Sequence, residues 1–370
     1  MQTPQRAGRV PPAFAVRTAA TLRGFLLRAA DRLLPASICA SENAHQFVRA
    51  HIMATMSELR IADALRDETL STAEVARRTG CDAEAMHRLL RAAATFGAVH
   101  LRRDGLVRAS RLTRVLRSDD PYAAGAWCQY IASAAHQQAW TALAESVRTG
   151  GNAFSRVNGA SLFDWFAEHP LEGEHFNRGL AGLTLADAPF VIAALELPQS
   201  GVVCDIAGGR GALLAEILRS RPDLRGVLVE STAVKADADR YLGEQGIRER
   251  VDLVTGDMFE PLEAKADLYL LKWILHDWDD PTCTRLLTSV AASMPHGARL
   301  AVIEGVQDRN AVDPRFSNID LEMLIVTEGG RERSIEQLTA LLVAAGFTPG
   351  KVTRTATGVA ILTARGAGVG

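Results

Sequence analysis

Apolar and polar positions divide the chain into stretches of different period. Leu22, Phe25, Leu26, Ala29, Ala30 and Leu33 recur at helical spacing with arginines outside the stripe, which predicts an amphipathic arm over residues 1–37. Residues 38–120 read as helices with one hairpin. A helix is predicted over 56–65; Ser71-Thr72-Ala73-Glu74 then offers an N-cap for a second, which Gly80 stops. A third covers 83–96 and ends at Gly97, followed by short strands at 99–101 and 106–108 that turn at Asp104-Gly105. This order is that of a winged helix-turn-helix. Residues 121–195 stay helical and aromatic-rich. After Pro198 the texture changes to continuous apolar runs, at 202–204, 227–229, 251–254, 268–271 and 300–303, separated by amphipathic helices. Strands that are apolar on both faces belong to a parallel sheet covered by helices, so residues 196–370 are expected to form an α/β domain. The final Gly-Ala-Gly-Val-Gly reads as a frayed tail.

A length of 370 residues suits two cores, and 48% hydrophobic with 23% charged residues is the composition of a globular protein. The formal charge of −2 removes the global pull that carries sequence-independent binding to nucleic acid or an anionic membrane. One local surplus stands out: residues 60–117 hold twelve arginines against seven acids, with His87, Arg88 and Arg91 on the would-be recognition helix. A DNA-binding regulator is therefore a rival reading, on a modest footprint. Five scattered cysteines without a CxxC pair point to a reducing compartment such as the cytoplasm, and neither a disulfide framework nor a metal centre is expected. No apolar run approaches the ~18 residues of a bilayer span. The arm, with six arginines against one acid, is read as packing on the body or on a partner subunit; a transit peptide or a membrane-surface segment would also start this way.

Candidate chemistry gathers at the strand ends. The first strand of the α/β domain closes on Asp205-Ile206-Ala207-Gly208-Gly209-Arg210-Gly211 and enters a helix, a turn at which ligands approach the backbone. A dinucleotide fits poorly. Leu214 occupies the third fingerprint position, and the Asp205 carboxylate would repel a pyrophosphate, whereas it would attract an ammonium group. Glu230, nineteen residues past Gly211 and at the end of the second strand, has about the ~20-residue spacing of the acid that binds ribose hydroxyls. Gly256-Asp257-Met258-Phe259 after the third strand offers an acceptor for an adenine amino group beside two apolar walls. Acceptors for ammonium, ribose and adenine, in that order, describe S-adenosyl-L-methionine.

The fourth strand runs into Leu271-Lys272-Trp273-Ile274-Leu275-His276-Asp277-Trp278. With the glycine turn, Gly256 to Phe259, Val302-Ile303-Glu304 and Gly329-Gly330-Arg331-Glu332-Arg333-Ser334, this block resembles the plant and bacterial small-molecule O-methyltransferases. The likeness spans roughly residues 45–365. It implies a class I methyltransferase sheet of seven strands with helices on both faces, preceded by a winged-helix dimerisation domain over 38–120 and pocket helices over 121–195. It also implies a homodimer that binds neither nucleic acid nor membrane. By motif, His276 is the general base, Glu304 and Glu332 orient it, Asp277 sits beside it, and Lys272 contacts the cofactor together with Asp205, Gly208, Gly209, Gly211, Glu230, Asp257, Met258 and Phe259. Phe176, Leu180, Met323 and Thr327 map to the substrate pocket. A plainer reading pairs Glu304 and Glu332 with Arg331 or Arg333.

The chain departs from the family pattern in two places. Ala207 replaces the first of three glycines, and Glu230 stands where plant members carry aspartate. The run Val229-Glu230-Ser231-Thr232, with Arg240-Tyr241-Leu242, Arg250-Val251-Asp252 and Gly256 to Pro261, is closer to the bacterial branch that tailors aromatic polyketides and antibiotics, where glutamate is usual, which implies a phenolic or enolic secondary metabolite as acceptor. Some members of that branch keep the cofactor yet hydroxylate or decarboxylate; the intact His-Asp-Trp argues against that drift.

Overall fold

A computed structural model describes residues 12–307 and 313–366. Arg6 and Arg9 of the arm and the last four residues of the glycine-rich tail lie outside the described residues, while the tail's Gly366 closes the last strand. The described chain falls into two compact units, one of residues 34–149 with 153–186, the other of 187–366 with 12–33 and 150–152.

In the unit of residues 34–149 and 153–186, helices Gln46–Glu58, Ile61–Leu65, Thr72–Thr79 and Ala83–Thr95 pack with three antiparallel strands. These are β1 (Thr69–Ser71), β2 (Val99–Leu101) and β3 (Leu106–Ala109), in the order β1-β3-β2. Ser71 Oγ accepts from the Glu74 N–H at 3.1 Å and Gly80 closes the helix in the left-handed region (φ 68°), as the punctuation predicts. The helix expected over 56–65 is instead two, because Arg60 takes a left-handed φ of 52° and breaks the ladder, after which Ile61, Ala62 and Leu65 turn inward. The helix Ala83–Thr95 buries Met86, Leu90 and Ala93 and leaves Arg88 and Arg91 exposed. Later helices surround Tyr130, whose ring centroid lies 5.0 Å from that of Phe176. His136 beside it is a satisfied interior residue: Nδ1 is 2.9 Å from the Ile131 carbonyl, and Nε2 accepts from Trp140 Nε1–H at 3.3 Å.

The other unit is built on a seven-stranded sheet in the order β6-β5-β4-β7-β8-β10-β9. Here β4 is Gly201–Ile206, β5 Leu224–Glu230, β6 Val251–Thr255, β7 Leu268–Lys272, β8 Arg299–Glu304, β9 Phe347–Arg354 and β10 Ala360–Gly366. The first five are parallel, and β10 lies antiparallel between β8 and β9. The α/β class with seven strands and helices on both faces is thus observed. The order reverses at β4, which pairs with β5 on one side and β7 on the other; this is the switch point at which open α/β sheets bind ligands. Strands β4, β5, β7 and β8 are almost wholly buried, whereas edge strand β9 is mostly exposed and contains Pro349 and Gly350, so no apolar run announced it.

The arm is a helix, Ala13–Asp31. Its apolar stripe is not buried within the chain, since Leu22, Phe25, Leu26 and Leu33 are all exposed. Among the described residues no helix is long and apolar enough to cross a membrane.

Candidate functional site

The turn after β4 brings a buried carboxylate and a bare backbone together. Asp205 is 1% exposed, and its Oδ2 has no hydrogen-bond partner. Burial pushes its carboxyl up to about 7; the positive charge of Lys272 works against this rise and the negative charge of Glu230 adds to it. A buried carboxylate oxygen without a donor is costly, and a cationic N–H group brought to it removes that cost. The chain then turns through Ala207 (φ 53°), Gly209 (φ 61°) and Gly211 (φ 80°) into the helix Ala212–Ser220. Ala207 carries a Cβ in the left-handed region, strain of about 1 kcal/mol that is characteristic of functional loops. Gly208 lies against Asp205, where a Cβ would run into the carboxyl group. Gly208→Ala is expected to push Asp205 aside and weaken binding of an ammonium-bearing ligand by about 10- to 100-fold, the worth of one charge-assisted hydrogen bond, as read by calorimetric titration.

Glu230, at the end of β5, holds this turn. Its Oε1 accepts from the Gly209 N–H (2.6 Å) and its Oε2 from the Ser231 N–H (2.9 Å), which leaves each oxygen a lone pair for a ligand hydroxyl. Burial raises its carboxyl and the two N–H groups oppose that rise. Arg210 fastens the loop to the helix Thr232–Glu244 by an ion pair with Asp237 at 2.8 Å, with its guanidinium 4.8 Å from the Tyr241 ring. Leu214, at the missing third glycine, is fully buried, and Gly226 of β5 supplies the room it needs. Beyond β6, Asp257 Oδ1 accepts from the Phe259 N–H at 2.9 Å. Met258 and Phe259 are half-buried, and the Phe259 ring stands edge-on to Trp278 at 5.0 Å.

At the end of β7 the chain passes Lys272, takes a left-handed step at Trp273 (φ 56°) and forms one 3-10 turn, Leu275–Asp277. His276 Nδ1 is 2.8 Å from Glu332 Oε1, and Nε2 is 3.4 Å from Asp277 Oδ1. Donation from Nδ1 to Glu332 selects the tautomer whose lone pair is on Nε2. Glu304, at the end of β8, reaches the backbone of the turn rather than the ring: its Oε1 accepts from the N–H groups of Ile274 (3.0 Å) and Leu275 (2.8 Å), and its buried Oε2 has no hydrogen-bond partner.

Burial works against a charged imidazole, but the Asp277 charge, the Glu332 hydrogen bond and the Glu304 charge outweigh it and push His276 up to about 9. Glu304 rises to about 7, chiefly through burial. Burial also raises Asp277 and lowers Lys272, the latter against the charges of Asp187, Asp205 and Glu304. Arg331 and Arg333 pair with Asp280, at 2.5 and 2.8 Å, and not with Glu304 or Glu332. The plainer alternative, in which those acids bind these arginines, is therefore not what the structure shows: Asp280, at the start of the helix Asp280–Ser293, is their anion.

Of the expected pocket residues, Phe176 and the exposed Leu180 lie on the helix Pro170–Ala194. Met323 and Thr327 lie at the end of the helix Pro314–Val326, where the Thr327 hydroxyl donates to the Met323 carbonyl (2.7 Å) and accepts from the Gly330 N–H (3.0 Å). Sequence reasoning missed four supports of the site. Trp273 sets its ring 5.0 Å from His276; Gly305 leaves space filled by Trp273, Phe316 and Glu332; Asp320 Oδ1 accepts from the Glu332 N–H at 2.8 Å; and Arg333 grips the turn. A motif signal existed for Trp273, inside the block after the fourth strand, and for Arg333, one residue beyond Glu332.

Comparison with known proteins adds independent findings. Residues 140–348 match the O-methyltransferase domain and residues 41–119 the O-methyltransferase dimerisation domain. The chain is 36% identical over 292 residues to a mitomycin biosynthesis 6-O-methyltransferase of Streptomyces lavendulae, covering 78% of this chain and 83% of the relative. It is 34% identical over 311 residues to a phenazine O-methyltransferase of Lysobacter antibioticus, covering 84% and 90%. Human N-acetylserotonin methyltransferase, solved in complex with S-adenosylmethionine, superposes with a TM-score of 0.83 at 26% identity over 90% of this chain and 99% of that one.

Proposed function

The chain belongs to the S-adenosylmethionine-dependent O-methyltransferases that carry a dimerisation domain, and from that premise we propose that it methylates a phenolic or enolic hydroxyl of a small secondary metabolite, as a homodimer, with His276 as general base. The observation that carries this reading is an imidazole held by Glu332 beside strand ends that present Asp205 and Glu230. When bound, S-adenosylmethionine supplies an electrophilic methyl group on a positively charged sulfur. The unpartnered Oδ2 of Asp205 fits its ammonium, the free lone pairs of Glu230 its ribose hydroxyls, and Asp257 with Met258 and Phe259 its adenine. Gly208, Gly209 and Gly211 keep the backbone open to it, and Lys272 contributes positive charge at the same strand ends. Met323 and Thr327 are proposed to contact the acceptor.

A phenol has a pKa of about 10, so it is protonated near neutrality and is a poor nucleophile until its proton leaves. His276 Nε2 takes that proton as the oxygen attacks, and Glu332 stabilises the resulting imidazolium through Nδ1. The carboxylates around His276 make it a stronger base than a free histidine and also keep it protonated to higher pH. The acidic limb of kcat/KM is accordingly expected above 6.5, toward about 9. Glu332→Gln removes a negative charge, which disfavours the imidazolium, so the limb should move to lower pH while kcat falls. A pH-rate profile of both proteins checks the sign; an unmoved limb contradicts the assignment.

The function is tested by incubating the protein with S-adenosylmethionine and a panel of phenolic, enolic and aromatic-amine metabolites and weighing the products. Gain of one CH2 on a hydroxyl supports the reading. Gain of one oxygen, or loss of carbon dioxide, would identify the non-methylating chemistry instead.

A further inference from the structure

Arg333 is 1% exposed and is the bulkiest side chain so fully buried among the described residues. A guanidinium leaves water at great cost unless its N–H groups are matched. Its one counter-ion, Asp280, is half exposed, so the ion pair alone does not account for the burial. The remaining donors do. Nη1 donates to the Leu275 carbonyl and Nη2 to the Trp278 carbonyl, both at 2.6 Å, while Nε donates to Asp280 Oδ1 at 2.9 Å. Those two carbonyls stand immediately before and after His276-Asp277. The same stretch is laced to the turn by its backbone as well: Gly329 bridges Trp278, and the Arg331 N–H donates to the His276 carbonyl at 2.8 Å. Glu332, which holds the imidazole, lies between these anchors.

We propose that Arg333 is a positioning residue for methyl transfer, one that sets the register between the His276 turn and the Glu332 carboxylate by gripping the two carbonyls that bracket the base. This rests on His276 as the base. A planar fork is required, because a single ammonium cannot donate to two carbonyls and a carboxylate in fixed directions. Misplacing a reacting group by about 1 Å costs about 10²-fold in rate, and the expected effect is of that size.

Arg333→Lys is the test, since it retains the charge and loses the fork. The expected results are a kcat lowered by about 10²-fold, an unchanged Kd for S-adenosylmethionine by calorimetry, and a His276 titration, followed by NMR of 15N-labelled imidazoles, displaced toward the ordinary value of about 6.5 with a weakened Nδ1–H tautomer. Should Arg333→Lys not fold, Asp280→Ala is measured instead; it removes the acceptor of Nε at the exposed side of the clamp and is expected to move the titration less, in the same direction. A folded variant with the kcat and the His276 titration of the unmodified protein overturns the proposal, even with a lowered Tm, because the clamp would then be structural only. The titration needs no turnover. A protein that transfers no methyl group yet shows the displaced titration would refute the proposed function, and with it a role in methyl transfer, while leaving Arg333 as the residue that holds the His276 turn against Glu332.

Discussion

His276→Ala is expected to lower kcat for methyl transfer by about 10²- to 10⁴-fold while leaving the Kd for S-adenosylmethionine essentially where it was, the range typical of losing a general base. The split between the two constants follows from how the turn is built. Glu304 holds the N–H groups of Ile274 and Leu275, and Arg333 holds the carbonyls of Leu275 and Trp278, so the backbone keeps its shape without the imidazole. The acids assigned to the cofactor lie on β4, β5 and the segment after β6 and have no hydrogen bond to the ring. Steady-state kinetics beside calorimetry on the same preparation reads both constants; a Kd that weakens in step with kcat would move His276 from proton transfer to cofactor binding.

Asp205→Asn should act in the opposite way, weakening S-adenosylmethionine by about 30- to several-thousand-fold, the 2–5 kcal/mol that accompanies truncation of one partner of a buried charge pair. The same change should raise the Tm of the ligand-free protein, because it removes a buried charge with an unpartnered oxygen. The pH dependence has a definite sign. The Asp205 carboxyl stands near 7 in the folded chain against about 3.9 unfolded, so between those values the folded state holds the extra proton and stability falls as pH rises. His276, raised to about 9 from 6.5, contributes stability that is complete below 6.5 and lost as pH rises through about 9. The Asn variant should therefore show a shallower decline of Tm between pH 4 and 7 than the parent chain. Melting curves of the ligand-free proteins across that range measure it, and an equally steep decline in both would remove Asp205 as its source.

Much of the scaffold was legible because its signals are local. The caps Ser71 and Gly80 and the buried strands β4, β5, β7 and β8 of the parallel sheet are set by side chains within a few residues. What stayed hidden depends on distant partners. Edge strand β9 alternates weakly because one face meets water, and β1 is three residues long, too short to show a period. At the site, His276, Glu304 and Glu332 could be named from motifs, but their division of labour could not. Whether a carboxylate meets a ring or a backbone N–H depends on how β8 and the segment 329–333 close on the turn, and no spacing in the chain encodes that. The left-handed Trp273 is likewise invisible in sequence, since a bulky residue is the last expected there.

The most direct test of the base is a series of acceptors graded by the acidity of the reacting hydroxyl, each run with the unmodified protein and with His276→Ala. If His276 removes the proton, the loss caused by the variant should be largest for the least acidic phenols and should vanish for an acceptor already ionised at the assay pH. The same loss for ionised and un-ionised acceptors alike would contradict proton removal by this imidazole.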